Sequence, residues 1–220
     1  MSWLHRILGK DGSTQVAADP THSALRVSLR PLEVSTLGAF SKSMSSGVLT
    51  AGLAAGSNFY SFRNGGSNLA LVREVTLTFS DVTTAFAVGS AIFNMFVARS
   101  FSASDTGGTA GVLTGNNSKL RSSFGTTTIS DIRISNTGIL TAGTRTLDTD
   151  PMASIVVGIT ATASAIFIPP GTVLWKPEPG QHPLVLAPNE GFVIQGTVPA
   201  TGTWSFGVRT TWDETPTGTF

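Results

Sequence analysis

The sequence predicts an all-β protein: a jelly-roll-like β-sandwich preceded by a short N-terminal arm. Three observations favour this class. Only 12% of the 220 residues are charged, whereas long solvated helices carry many charged side chains. Apolar and polar residues alternate in several segments, which is the two-residue period of a strand. Turn signals rich in Pro and Gly separate short apolar runs in the last third at intervals of about 8–12 residues, as in sandwiches and barrels.

The first 21 residues predict an arm that carries a short amphipathic helix. Its apolar face, with the spacing of two helical turns, consists of Trp3, Leu4, Ile7 and Leu8. We expect this face to dock on a neighbouring subunit. The alternative is that it packs on its own domain or frays, as chain termini often do.

Residues 22–220 are predicted to form the sandwich domain. At its start Leu25, Val27 and Leu29 alternate with Ser28 and two arginines, which predicts a strand with one solvated face. The arginines are Arg26 and Arg30. Because the planar guanidinium pairs well across interfaces, both are candidate contacts to acids of neighbouring chains. Pairing within the chain is the alternative for these two and for Arg73 and Arg209.

The middle of the chain contains the clearest strand pattern and one ambiguity. Alternation over 69–79 predicts a strand with Leu69, Leu71, Val75, Leu77 and Phe79 on one face. Residues 85–98 are apolar on both faces, which is typical of a strand covered on both sides or of a buried helix. A Gly/Ser/Thr-rich stretch at about 100–128 predicts a long surface excursion, a type of segment that often carries function.

The last third predicts several short strands. Residues 154–160 and 165–168 have strand character, and 169–171 (Pro-Pro-Gly) predicts a turn before the next strand. Trp204 and Phe206 share one face of a later strand, which favours core packing of both rings. The competing interpretation of Trp175, Trp204 and Trp212 is an exposed sugar-stacking platform.

The composition and the motif search exclude or disfavour disulfides, nucleic-acid binding, metal sites and the common catalytic motifs. The chain has no Cys, so disulfides and thiolate chemistry are absent. The net charge of +1 disfavours direct nucleic-acid binding. Its three His residues are far apart, and Asp148 and Asp150 form only a fragment of a calcium site. There is no nucleophile elbow or phosphate-binding loop. We therefore expect no enzymatic activity, no metal and no cofactor.

No membrane contact or secretory signal is expected either. The longest apolar run is too short for a spanning helix. His5 and Arg6 interrupt the apolar core that a secretory signal needs, so we expect the protein to be made in the cytoplasm.

Several stretches of the sequence resemble structural proteins of tailed bacteriophages. The resemblance spans most of residues 24–214 and is weakest over 100–150. It is carried by 24–31 (ALRVSLRP), 47–54 (GVLTAGLA), 59–63 (FYSFR), 69–73 (LALVR), 183–194 (PLVLAPNEGFVI), 203–208 (TWSFGV) and 212–214 (WDE). These motifs are patterned for strands and are not catalytic, so the resemblance transfers no catalytic residue.

The resemblance implies a virion component of the accessory capsid type, a decoration protein that stabilises the shell. Its partners would be the major capsid protein or other virion proteins and further copies of itself, as a trimer or pentamer. It would be assembled into the virion in the host cytoplasm. Alternatives are a tail, collar or fibre-associated protein that binds a host glycan, an enzyme acting on polysaccharide, and a binding module unrelated to viruses.

Overall fold

The computed structural model describes residues 18–19, 24–25, 36–50, 53, 56–81, 83–141, 143–160 and 167–218. The chain divides into two compact units, Met1–Val34 and Ser35–Phe220. In the first unit β1 (Ala18–Asp19) pairs antiparallel with β2 (Ala24–Leu25). Two predictions concern residues that lie outside the described ranges. These residues are the N-terminal apolar face and two arginines: Trp3, Leu4, Ile7, Leu8, Arg26 and Arg30.

The second unit is built from strands throughout its described part, so the predicted all-β class is confirmed. Its strands are β3 (Gly38–Ser45), β4 (Leu49–Thr50), β5 (Ser57–Asn64), β6 (Leu69–Asp81), β7 (Gly89–Phe101), β8 (Thr109–Ala110), β9 (Asp131–Ile134), β10 (Arg145–Leu147), β11 (Ala153–Ile159), β12 (Phe167–Trp175), β13 (Leu184–Leu186), β14 (Glu190–Thr197) and β15 (Thr203–Thr215).

These strands form two antiparallel sheets packed against each other, which confirms the sandwich. The six-stranded sheet has the order β12-β6-β15-β3, with β13 beside β6 and β4 beside β15. The seven-stranded sheet has the order β10-β7-β14-β5-β9-β8, with β11 beside β7. Eight strands form nested pairs, in which early strands of the chain pair with late ones: β3 with β15, β5 with β14, β6 with β12, and β7 with β11. This nested pairing across two sheets is the jelly-roll arrangement.

Aromatic side chains fill the core between the sheets. Trp204 packs edge-on against Phe59 at 4.9 Å between ring centroids, and Trp212 stacks on Phe40 at 5.5 Å. Both tryptophans are completely buried, as is almost all of Phe206. The predicted core packing of Trp204 and Phe206 is therefore confirmed. Trp175 is only partly buried but also packs against this cluster.

The predicted face of β6 is wrong in its first half. The register with β15 shifts between Thr211 and Trp212, which pair with Glu74 and Val72 and leave Arg73 as an extra residue. Such a bulge reverses the alternation on either side of it. The core face of β6 accordingly consists of Ala70, Val72, Val75, Leu77 and Phe79.

The ambiguity over residues 85–98 is resolved in favour of a strand, because β7 covers most of this segment. Its residues Ala91, Phe93, Met95 and Val97 are buried and alternate with half-buried neighbours. A second prediction is corrected: residues 169–171 lie inside β12 and do not form a turn between two strands. The register with β6 shifts between Ile168 and Thr172, so the Pro-Pro-Gly sequence is accommodated as a bulge.

Candidate functional site

The segment predicted as a surface excursion, about 100–128, lies mostly between β7 and β9, and we call residues 102–130 the excursion. They run along the edges of both sheets. The short strand β8 pairs with β9 and ends the seven-stranded sheet on this side. Further on, the Ser41 N–H donates to the Ser118 carbonyl (2.7 Å) and the Leu120 N–H donates to the Ala39 carbonyl (3.0 Å), both on β3. One segment therefore covers the edges of two sheets on the same flank of the sandwich.

Arg63 on β5 holds the first residues of the excursion. Its Nε donates to the Phe101 carbonyl (2.6 Å) and its Nη2 to the Ser102 carbonyl (2.8 Å). Its Nη1 donates to the Ser104 hydroxyl (3.2 Å). A guanidinium fork of this kind fixes three acceptors in one plane, so the departure of the chain from β7 is tightly defined.

The next anchor is a buried ion pair between Asp105 and Arg145. Their side chains are 0% and 4% exposed, and Arg145 Nη1 bonds to Asp105 Oδ1. The Gly143 N–H donates to the same oxygen (2.6 Å), and the Arg145 guanidinium lies 5.1 Å from the centre of the Phe101 ring. A Cβ at Gly143 would lie 2.0 Å from the Ala103 carbonyl oxygen, so only glycine fits at this position. Desolvated charges of this kind depend on each other, because a lone buried ion is costly.

The last anchor is the buried carboxylate of Glu214 on β15. Its Oε2 accepts hydrogen bonds from the N–H (2.9 Å) and hydroxyl (2.7 Å) of Thr128. Its Oε1 accepts from Trp212 Nε1 (3.2 Å) and from the Thr127 hydroxyl. One carboxylate thus satisfies four donors, and it joins the end of the excursion to the six-stranded sheet.

The neighbouring Asp213 points to the other face of β15, where it pairs with Arg73. Burial raises the pKa of the Asp213 carboxyl, and the charge of Arg73 and its hydrogen bond oppose that shift. Arg209 donates from Nε to the Ser41 hydroxyl (3.1 Å). Arg73 therefore follows the alternative we left open, pairing with an acid within the chain, and Arg209 hydrogen-bonds to a serine hydroxyl of the same chain.

Between its anchors the excursion presents apolar side chains to solvent. Val112 is 55% exposed and Leu120 is 58% exposed. Each lies beside a hydrogen bond to β3, since Lys42 Nζ also donates to the Val112 carbonyl (2.9 Å). These two side chains are held on a fixed backbone, which is what a contact surface needs.

The outer face of the six-stranded sheet carries an open groove of about 440 Å³. Polar and charged residues that line it include Ser43, Glu74, Thr76, Thr78 and Arg209. Glu74 is its single carboxylate among the described lining residues, and this group lies 3.3 Å from Lys176 Nζ. The groove therefore lacks the carboxylate pair on which glycosidases depend.

The remaining sequence candidates do not converge on one site. Arg99 binds both oxygens of the Asp148 carboxylate, with Nε donating to Oδ1 (3.2 Å) and Nη2 to Oδ2 (3.1 Å), so one of the two acids suggested for calcium is engaged by an arginine. No group of three His, Asp or Glu side chains suited to a metal occurs within the described ranges. Because Trp204 and Trp212 are buried, they do not form an exposed sugar platform. In the same part of the chain, no helix is long and apolar enough to cross a membrane.

Comparisons with known proteins add no relative. No protein-family model, no curated protein and no solved structure matches this chain.

Proposed function

We propose that this protein is a non-enzymatic structural component of a bacteriophage virion, a capsid decoration protein that stabilises the shell through contacts between subunits. The proposal is supported mainly by one observation, namely that the excursion is anchored and exposes apolar side chains. It is anchored by Arg63, Arg145 and Glu214, and it displays Val112 and Leu120 on a fixed backbone. Anchoring reduces the entropy lost on binding, so such a surface is suited to permanent protein contacts.

The partners in this proposal are the major capsid protein or other virion proteins. Further copies of the chain, as a trimer or pentamer, remain a prediction. Low charge supports contact with protein rather than with packaged nucleic acid. The virion remains the proposed location and the host cytoplasm the place of assembly.

Binding to shells that lack the protein tests this role. Purified wild type is mixed with such particles and the bound fraction is measured by cosedimentation. Leu120→Asp should weaken binding by about tenfold or more, because burying a leucine side chain contributes roughly 1.5–3 kcal/mol. The matched control is Val88→Asp, which alters a similarly exposed side chain between β6 and β7. The proposal would be contradicted if the wild-type protein did not bind the particles, or if both variants lost binding to the same extent.

A second candidate is a tail, collar or fibre-associated protein that binds a host glycan. The open groove on the six-stranded sheet favours it, because the hydroxyl and charged groups among its lining residues can bond sugar hydroxyls. Loss of polysaccharide binding in Arg209→Ala, with Leu120→Asp unaffected, would support this candidate over the capsid role.

A further inference from the structure

Strand β11 borders the seven-stranded sheet on the flank opposite β8 and β9. Within the described residues β7 is its only hydrogen-bonded neighbour. All seven residues of β11 pair with β7 without a register shift. Its backbone N–H and C=O groups that point away from β7 therefore form a regular row at the sheet edge, which is a template for another strand.

The chemistry of β11 offers none of the usual protection against edge pairing. Such protection consists of charged side chains, proline or a bulge. Residues 151–175 contain no charged side chain, and β11 itself contains no proline. Val156, at the centre of β11, is 63% exposed. An exposed, apolar and regular edge strand is expected to pair with another chain.

The other described edges are covered, short or interrupted. Residues of the excursion bond to the backbone of Ala39 and Ser41 on β3, and β8 pairs with β9. The register of β12 shifts at its Pro-Pro-Gly bulge, and β13 has three residues between Pro183 and Pro188. β10 also has three residues, and its register shifts between Thr146 and Leu147. Among the described strands, β11 is therefore the single long, regular and uncovered edge.

We propose that β11 pairs antiparallel with β11 of a second copy of this chain, so that one sheet continues across two molecules. The second copy is the indicated occupant because β11 is, among the strands that the structure describes, the one open regular edge that a copy can offer. A contact of a strand with itself is two-fold symmetric. Centred on Val156, it places Ser154 opposite Gly158 and Ala153 opposite Ile159, so the paired strands bring no like charges together. The inference follows from the sheet edges alone and holds with or without a virion role. It gives a two-fold dimer in place of the trimer or pentamer expected from the resemblance.

A single cysteine tests the contact directly, because the chain has no Cys of its own. Directly opposed residues of antiparallel strands have Cα atoms about 4.5–5.5 Å apart, which suits a disulfide. Val156→Cys should therefore yield a covalent dimer under mild oxidation, measured by non-reducing electrophoresis. Val173→Cys is the matched control on β12, with 45% exposure. Equal crosslinking of both variants, or none of Val156→Cys, would overturn the proposal.

Charge substitutions provide a second and independent measurement. Wild type should be dimeric by light scattering at micromolar concentration. Val156→Lys and Val156→Glu should each raise the dimer dissociation constant by about tenfold or more, because like charges then face each other. An equimolar mixture of the two variants should regain the dimer, and Val173→Lys should remain dimeric. Self-pairing would be refuted if wild type were monomeric, even if it paired with another protein. It would also be refuted if the mixture of the two variants stayed monomeric.

Discussion

The two flanks of the sandwich treat their sheet edges in opposite ways. On one flank the excursion bonds to β3 and contributes β8 to β9, so the edges of both sheets are covered by the chain itself. On the other flank β12 is bulged, whereas β11 is regular and apolar. Open edges promote association and covered edges prevent it. The difference indicates that a long polar insertion can confine edge pairing to one side of a jelly roll.

The attachment of the excursion should depend most strongly on the buried ion pair between Asp105 and Arg145. Arg145→Ala should lower the free energy of unfolding by about 3–5 kcal/mol, because it leaves the Asp105 carboxylate buried without a partner. Urea unfolding measures this loss. The control is Arg99→Ala, which breaks the exposed pair with Asp148 and should cost less than about 1 kcal/mol. Equal losses in the two variants would mean that burial of the pair has no energetic consequence.

The fold was largely predictable because its signals are local. Alternation placed Trp204 and Phe206 in the core, and the apolar run over 154–160 matches β11 closely. The bulge at Arg73 was not predictable, because it exists only in register with β15. A proline pair can equally end a strand or bulge it, which is why residues 169–171 were misassigned.

The anchors of the excursion were missed for a different reason. Asp105 and Arg145 are separated by 40 residues, and Glu214 by 86 from Thr128, so their pairing depends on the fold. The only available signal was a lone acid within a stretch of Gly, Ser and Thr. The open edge of β11 is likewise a property of strand order, which a single strand pattern does not contain.

The last anchor of the excursion, Glu214, should have a smaller and more local effect. Glu214→Ala leaves the donors of Thr127, Thr128 and Trp212 without their acceptor, which we expect to cost about 2–3 kcal/mol. Trypsin measures the local consequence, because Lys119 and Arg121 lie in the excursion. Cleavage there should accelerate by about 30-fold or more, since proteolysis follows the population of the open form. The exposed Glu178→Ala is the control, and an unchanged cleavage rate in Glu214→Ala would show that Glu214 does not hold the cover.

The smallest expected effect concerns Asp213, which lies opposite Ala39 of the covered strand β3. Burial raises the pKa of the Asp213 carboxyl above its ordinary 3.8, with Arg73 opposing the shift. A raised pKa in the folded state means that the unfolded state loses this proton first as the pH rises. The contribution of Asp213 to stability is therefore complete below about pH 4 and decreases as the pH rises towards the raised pKa. Urea unfolding of wild type and Asp213→Asn at several pH values above 4 should show the stability of wild type falling relative to the variant. A difference that stays constant or grows with pH would mean that Arg73 outweighs burial at this edge.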